Sequence, residues 1–350
     1  MIVNYPRMKR RVKGWPDDLN TVLEFSSANP FSISAPKNWD GKLEYTNGSG
    51  WKMWDGSAIA SGEIENNHYI YLRGTGNSKI TGTASSSAKW SIIGTNIACN
   101  GDIDLLLDYS TVKSGNRPAM ASYCYANMFR DCTSLTAAPS LPATTLASYC
   151  YANMFFKCTS LTAAPSLPAT RLVDHCYSYM FYGCTSLTAA PSLPATTLAS
   201  YCYASMFQGC TSLTAAPSLP ATTLANHCYA NMFFKCTSLT AAPSLPATTL
   251  ASYCYASMFR DCTSLTAAPS LPATTLKPDC YSYMFFNCKK IKLSTTASGT
   301  YTKSYRIPKS GTGTTDSSAL NYMFANTGGT FTGTPEINTT YYLDESNTIV

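Results

Sequence analysis

From residue 124 onward, apolar and polar positions follow a fixed schedule. A nine-residue stretch such as Cys150-Tyr151-Ala152-Asn153-Met154-Phe155-Phe156-Lys157-Cys158 returns seven times at 26-residue intervals. With the first Cys as position 0, positions 0, 1, 4, 5 and 8 are always Cys, Tyr, Met, Phe and Cys, whereas −1, 2, 3, 6 and 7 vary. At about 100° per residue the constant positions share one arc of a helix and the variable ones fill the other. The spacing therefore predicts an amphipathic helix per unit, with Cys150, Met154, Phe155 and Cys158 in its core face. Thr144 or Thr145 can cap its start, and Thr159-Ser160 can end it by side-chain hydrogen bonds.

The next segment, Leu161-Thr162-Ala163-Ala164-Pro165, is short and bounded by proline, enough for a strand of three or four residues. Helix, turn, short strand, turn is the expected unit, and seven tandem copies imply a solenoid. Strands stack about 4.8 Å apart and helices about 8–10 Å apart, so such a solenoid curves toward its strands. Because Pro165 and its counterparts lack an N–H, the ladder is expected to be two or three residues deep.

The flanks read differently. Val22–Phe25, Lys42–Tyr45, Tyr69–Leu72 and Trp90–Ile93 alternate as strands do, with turns at Asp40-Gly41, Asn47-Gly48, Asp55-Gly56 and Gly74-Thr75-Gly76. The expected order is a basic arm (1–19), a small β-sandwich (20–100), an N-terminal cap (101–123), the repeats (124–288), and a degenerate repeat with C-terminal cap (289–350). The fold class is thus α+β, a β-sandwich followed by a curved leucine-rich-repeat-like solenoid. Ile103 and Leu105–Leu107 are placed to cover the first unit; Asn321-Tyr322-Met323-Phe324 echoes the repeat near the other end. Trp39, Trp51, Trp54 and Trp90 are read as packing residues rather than sugar platforms.

Composition narrows the function classes. Hydrophobic residues make up 45% of the chain and charged residues only 13%, so the surface is built largely from hydroxyls and amides. The net charge of +6 is concentrated in Arg7, Lys9, Arg10, Arg11 and Lys13, which removes the case for a nucleic-acid partner. No stretch is long and apolar enough for a membrane span, and no signal peptide is expected ahead of Trp15-Pro16-Asp17-Asp18.

The run Cys-Thr-Ser-Leu-Thr, the Pro-containing strand, the Met-Phe segment and the next Cys resemble the BspA-like leucine-rich repeat family of bacterial surface proteins, over roughly residues 118–295. The resemblance implies a curved solenoid that binds host or matrix molecules. The small β-domain ahead of the repeats also resembles tail or receptor-binding proteins of bacteriophages of gut bacteria, in which the N-terminal region would contact other virion proteins. Either setting places the protein on an outward-facing surface, virion or bacterial.

A catalytic site has little to stand on. His68, His175 and His227 are the only histidines, and the latter two, in units two apart, should lie nearly 20 Å from each other if helices stack. No nucleophile has a partnered base, no phosphate loop follows a strand, and no close Cys pair suggests zinc. No enzyme activity and no cofactor is expected. A disulfide between residues eight apart on one helix would span about 12 Å, too far. Equivalent cysteines of neighbouring units would also be too far apart, although Cys132-type and Cys150-type thiols could meet if helices were staggered. Two ladders of buried thiols are the favoured reading. On the outer arc, position 6 carries Phe156, Tyr182, Gln208, Phe234 and Phe286, with Arg130, Lys157, Lys235 and Arg260 on or beside the row. Aromatic and arginine side chains are common interface anchors, so these nine residues are the candidate contacts for a glycan or protein on a cell surface. The leading function is a non-enzymatic adhesin or receptor-binding protein; the other is a structural virion or assembly protein with the repeats as spacer.

Overall fold

A computed structural model describes residues 15–16, 19–48, 50–308 and 318–350. The basic arm, including Arg7 through Lys13, falls outside them apart from Trp15, Pro16 and Leu19.

The helix-plus-strand solenoid is not formed. Among the described residues there is one α-helix, Leu105–Lys113, and it precedes the repeats. Each Cys-to-Cys segment is instead a ribbon of consecutive β-turns. In the second unit Cys150, Ala152, Met154, Phe156 and Cys158 each donate their backbone N–H to the carbonyl three residues earlier, at 3.1 Å. The residues between them, Tyr149, Tyr151, Asn153, Phe155 and Lys157, donate across to the next unit, to the carbonyls of Asp174, Cys176, Ser178, Met180 and Tyr182 at 2.6–3.1 Å. Every fourth residue is left-handed, with φ of 58°, 56° and 56° at Tyr149, Asn153 and Lys157. Turns with a left-handed third residue, as in type II, therefore alternate with turns that have none.

This ribbon repeats every four residues, which stacks positions 0, 4 and 8 in one column and 1 and 5 in the next. Over nine residues a period of four and a period of 3.6 put the same five positions inside, so the wheel alone could not separate them. Tyr151, Met154 and Phe155 are buried as the pattern requires, but on turns.

The opposite side of the units is joined by single-residue parallel bridges, Ala163 with Ala189, Ala215 with Ala241 and Ala241 with Ala267, and a second row from Arg171 through Thr197 and Thr223 to Thr249. The expected two- or three-residue ladder is thus cut to one, consistent with the prolines between the two rows. Because both sides are hydrogen-bonded backbone to backbone, units sit at strand-like spacing throughout, and the expected curvature loses its basis. Their rings follow: Tyr151–Tyr177 and Phe155–Phe181 stack at 5.8 and 5.5 Å between centroids, within 5° of parallel.

The N-terminal strands occupy the alternating stretches, and they do not close off a separate sandwich. One seven-stranded sheet runs in the order Leu135–Ala137, Ile97–Asn100, Leu23–Ser27, Asn67–Thr75, Lys42–Thr46, Lys52–Met53, with Gly62–Ile64 also on Asn67–Thr75. Its first strand belongs to the first repeat. A three-stranded sheet, Ile59–Ala60, Ser32–Ser34, Ser91–Ile93, completes the region, with Trp39, Trp54 and Trp90 packed in its core. Ile80 and Trp90 donate N–H groups to the carbonyls of Cys124 and Met128, both at 2.9 Å, as positions 1 and 5 of a preceding unit would. At the other end, Tyr281, Tyr283, Phe285 and Asn287 donate to Ala319, Asn321, Met323 and Ala325 at 2.8–2.9 Å. Residues 318–327 therefore stack as an eighth ribbon, with Ala and Thr where the cysteines stood. A four-stranded sheet (Tyr301–Arg306, Thr340–Asp344, Lys292–Ser294, Gly328–Gly329) completes that end, and one hydrophobic core is continuous from Leu23 to Leu343.

Candidate binding surface

The constant positions are interior. Cys150, Met154, Phe155 and Cys158 are fully buried, and all fifteen cysteines are free and buried. From the second unit on, the second thiol donates to the phenylalanine carbonyl of the unit before, as from Cys158 to Phe129 (3.0 Å) and Cys210 to Phe181 (3.1 Å), while Cys132 of the first unit donates to the Trp90 carbonyl at 3.7 Å. Burial pushes the Cys150 and Cys202 thiols up to about 12, so neither offers a thiolate at neutral pH. Among the described residues no three His, Cys, Asp or Glu side chains come together as a metal site, and no helix is long and apolar enough to cross a membrane.

Position 6 lies on the outward side of the ribbon rather than on a helix face, and its residues are half-buried rather than projecting. Phe156 and Tyr182 stack on each other at 4.5 Å. The Arg130 guanidinium lies 3.8 Å from the centroid of Phe156, and Lys157 lies 5.5 Å from it. Lys235 and Arg260 lie over Phe234 at 5.1 and 5.3 Å, and Arg260 also contacts Phe286 at 4.8 Å. Gln208, between the two aromatic groups, is half-buried too. The nine candidates thus form one row of two cation–aromatic clusters, in which many ring faces are covered by neighbours and the ring edges remain outward.

A second row was missed from the sequence. Position −1, read only as variable, carries Tyr123, Tyr149, His175, Tyr201, His227 and Tyr253 in the first six units and Asp279 in the seventh. These rings stack continuously at 4.2–4.6 Å between centroids and within 18° of parallel. His175 and His227 are separated by one ring, Tyr201, at 4.6 and 4.3 Å, far closer than the nearly 20 Å expected of stacked helices. Burial lowers the pKa of both imidazoles below the usual histidine value. The signal was available: a position that varies only between tyrosine and histidine over six units is a ring position.

Beside this row runs a groove of about 130 Å³. Tyr123, Tyr149 and His175 form one wall, Asn127, Asn153 and Tyr179 the other, and Ala126, Ala152 and Ser178 the floor. Asn127 is held by amide hydrogen bonds to the carbonyls of Ala84 (3.2 Å) and Ser85 (3.4 Å), and Arg130 donates to the side-chain oxygens of Asn127 and Asn153. No family model, no curated protein and no solved structure matches the chain.

Proposed function

We propose that the protein is a non-enzymatic binding protein of the adhesin or receptor-binding type, working on an outward-facing virion or bacterial surface. The observation that carries this reading is the pair of side-chain rows held in register along one stack, a ring row at position −1 through six units and two cation–aromatic clusters at position 6. Repeated weak contacts at fixed spacing give avidity toward a ligand that itself repeats. The resemblance of the repeats to BspA-like surface proteins supports the same reading. The partner is a glycan or protein on a cell surface, with Phe156, Tyr182, Gln208, Phe234 and Phe286 and their cations Arg130, Lys157, Lys235 and Arg260 among its contacts.

The test is saturable attachment of the purified full chain to intact bacterial cells and to host mucin, read by fluorescence. Replacing Phe156, Tyr182, Phe234 and Phe286 together by Leu keeps apolar volume and removes the rings; attachment should weaken about tenfold or more. Unchanged attachment removes position 6 from the contact surface. No saturable attachment by the wild-type chain overturns the function.

A further inference from the structure

We infer that the groove beside the Tyr/His row is a track for a neutral, extended polysaccharide lying along the stack, a reading that rests on the binding function above and names its ligand class. The backbone supplies the first reason. Position −1 is the left-handed third residue of a turn, with φ between 55° and 60° in all six units, where glycine or asparagine fits with least strain. At the equivalent left-handed places, positions 3 and 7, six of the fourteen residues are asparagine or glycine (Asn127, Asn153, Asn231, Asn287, Gly183 and Gly209), and only Tyr179 and Tyr283 are rings. Position −1 departs from that preference six times in succession, always with a ring, so its side chain is there for something other than the turn.

The chemistry of the groove selects the ligand. Since the rings lie face to face with one another, what they turn outward is edges, tyrosine hydroxyls and imidazole nitrogens. The facing wall adds the Asn153 amide and the Tyr179 ring, and the floor adds alanine methyls, while the buried Asn127 amide is already bonded to Ala84, Ser85 and Arg130. Hydroxyls of a sugar both donate and accept and so match hydroxyl, amide and imidazole partners, while the C–H faces of its rings match the methyl floor. No carboxylate, lysine or arginine is among the lining residues, the Arg130 guanidinium behind the wall is taken up by the Asn127 and Asn153 oxygens, Asp131 and the Phe156 ring, and burial disfavours the His175 cation, so an ionic ligand would meet no free counter-charge. An extended peptide is disfavoured because strand addition needs open backbone donors. Those of the ribbon are already bonded within or between units. The same positions continue through Tyr201, Ala204 and Ser205 and then His227, Ala230 and Asn231, which extends the contact set unit by unit.

The test uses the full chain in affinity electrophoresis and calorimetry against β-1,3-glucan, β-1,4-glucan and α-mannan, with alginate and hyaluronan as acidic counterparts. At least one neutral polymer should retard the protein, its oligosaccharides should bind more tightly as they lengthen, and the acidic polymers should not bind. In the double variant Tyr149→Asn/Tyr201→Asn the new residues suit the left-handed backbone, so the melting temperature should hold while affinity falls about tenfold or more. Neutral binding that survives this variant, binding by acidic polymers alone, or affinity independent of ligand length overturns the track. So does the absence of binding to every polymer. The attachment assay with cells and mucin decides the binding function separately, so the track can fail while that function stands.

Discussion

Replacing Gly209 by Ala separates the ribbon from a helix by the sign of its effect. Gly209 has φ +75°, and a Cβ built there would meet only Gly183, its Cα at 3.6 Å and its N at 3.7 Å, which is ordinary contact. Its cost is therefore conformational. Holding an L-residue left-handed costs about 1–2 kcal/mol. The narrower unfolded ensemble of alanine returns about 0.4–1 kcal/mol, leaving a net loss of about 0.5–1 kcal/mol. On a helix the same substitution would stabilise by about 1 kcal/mol. Scanning calorimetry should thus show Gly209→Ala melting lower, by about 1–3 °C for a chain of this size. Lys157→Gly is the companion. It relieves φ 56° but adds unfolded-state freedom and gives up the contact of the ammonium with Phe156, so it should stay within about 0.5 kcal/mol of wild type. A helix would lose about 1 kcal/mol to that glycine. A rise in melting temperature for Gly209→Ala would refute the turn-built unit.

The two thiol columns should respond unequally to serine: Cys202→Ser buries a hydroxyl with no assured partner and should cost about 1–3 kcal/mol by denaturant titration. Cys210→Ser should cost less, because the Phe181 carbonyl that its sulfur already reaches at 3.1 Å can accept from the hydroxyl. Asp104 should make stability depend on pH. Its carboxyl, raised to about 6 chiefly by burial and then by Asp102, stays protonated in the folded chain after the unfolded one has ionised. Folding therefore takes up a proton between the ordinary carboxylate value and about 6, and stability should fall as pH rises through that window. Asp104→Asn should melt higher than wild type at pH 8 and equal to it at pH 4; a difference independent of pH would reject the assignment.

Much of the interior was legible in the chain alone. The columns Cys150/Met154/Cys158 and Tyr151/Phe155 are buried as the constant positions require, and the number and length of the units come from the 26-residue repeat. Hydrophobic pattern reports which side faces inward, and burial does not depend on how the backbone closes its hydrogen bonds. The closure itself was decided by tertiary structure. In a helix every interior N–H finds its partner within the segment, whereas here Tyr149, Tyr151, Asn153, Phe155 and Lys157 find theirs only on the next unit. The alternative exists only because seven near-copies offer one another matching carbonyls. Local hints were present, in Gly183, Gly209, Asn153 and Asn287 at four-residue steps, yet helix periodicity accounted for the same nine residues. The ring row from Tyr123 to Tyr253 was decided in the same way. Rings 26 residues apart become stacked neighbours only when units pack at backbone hydrogen-bond distance, and at helix spacing they would have remained isolated side chains.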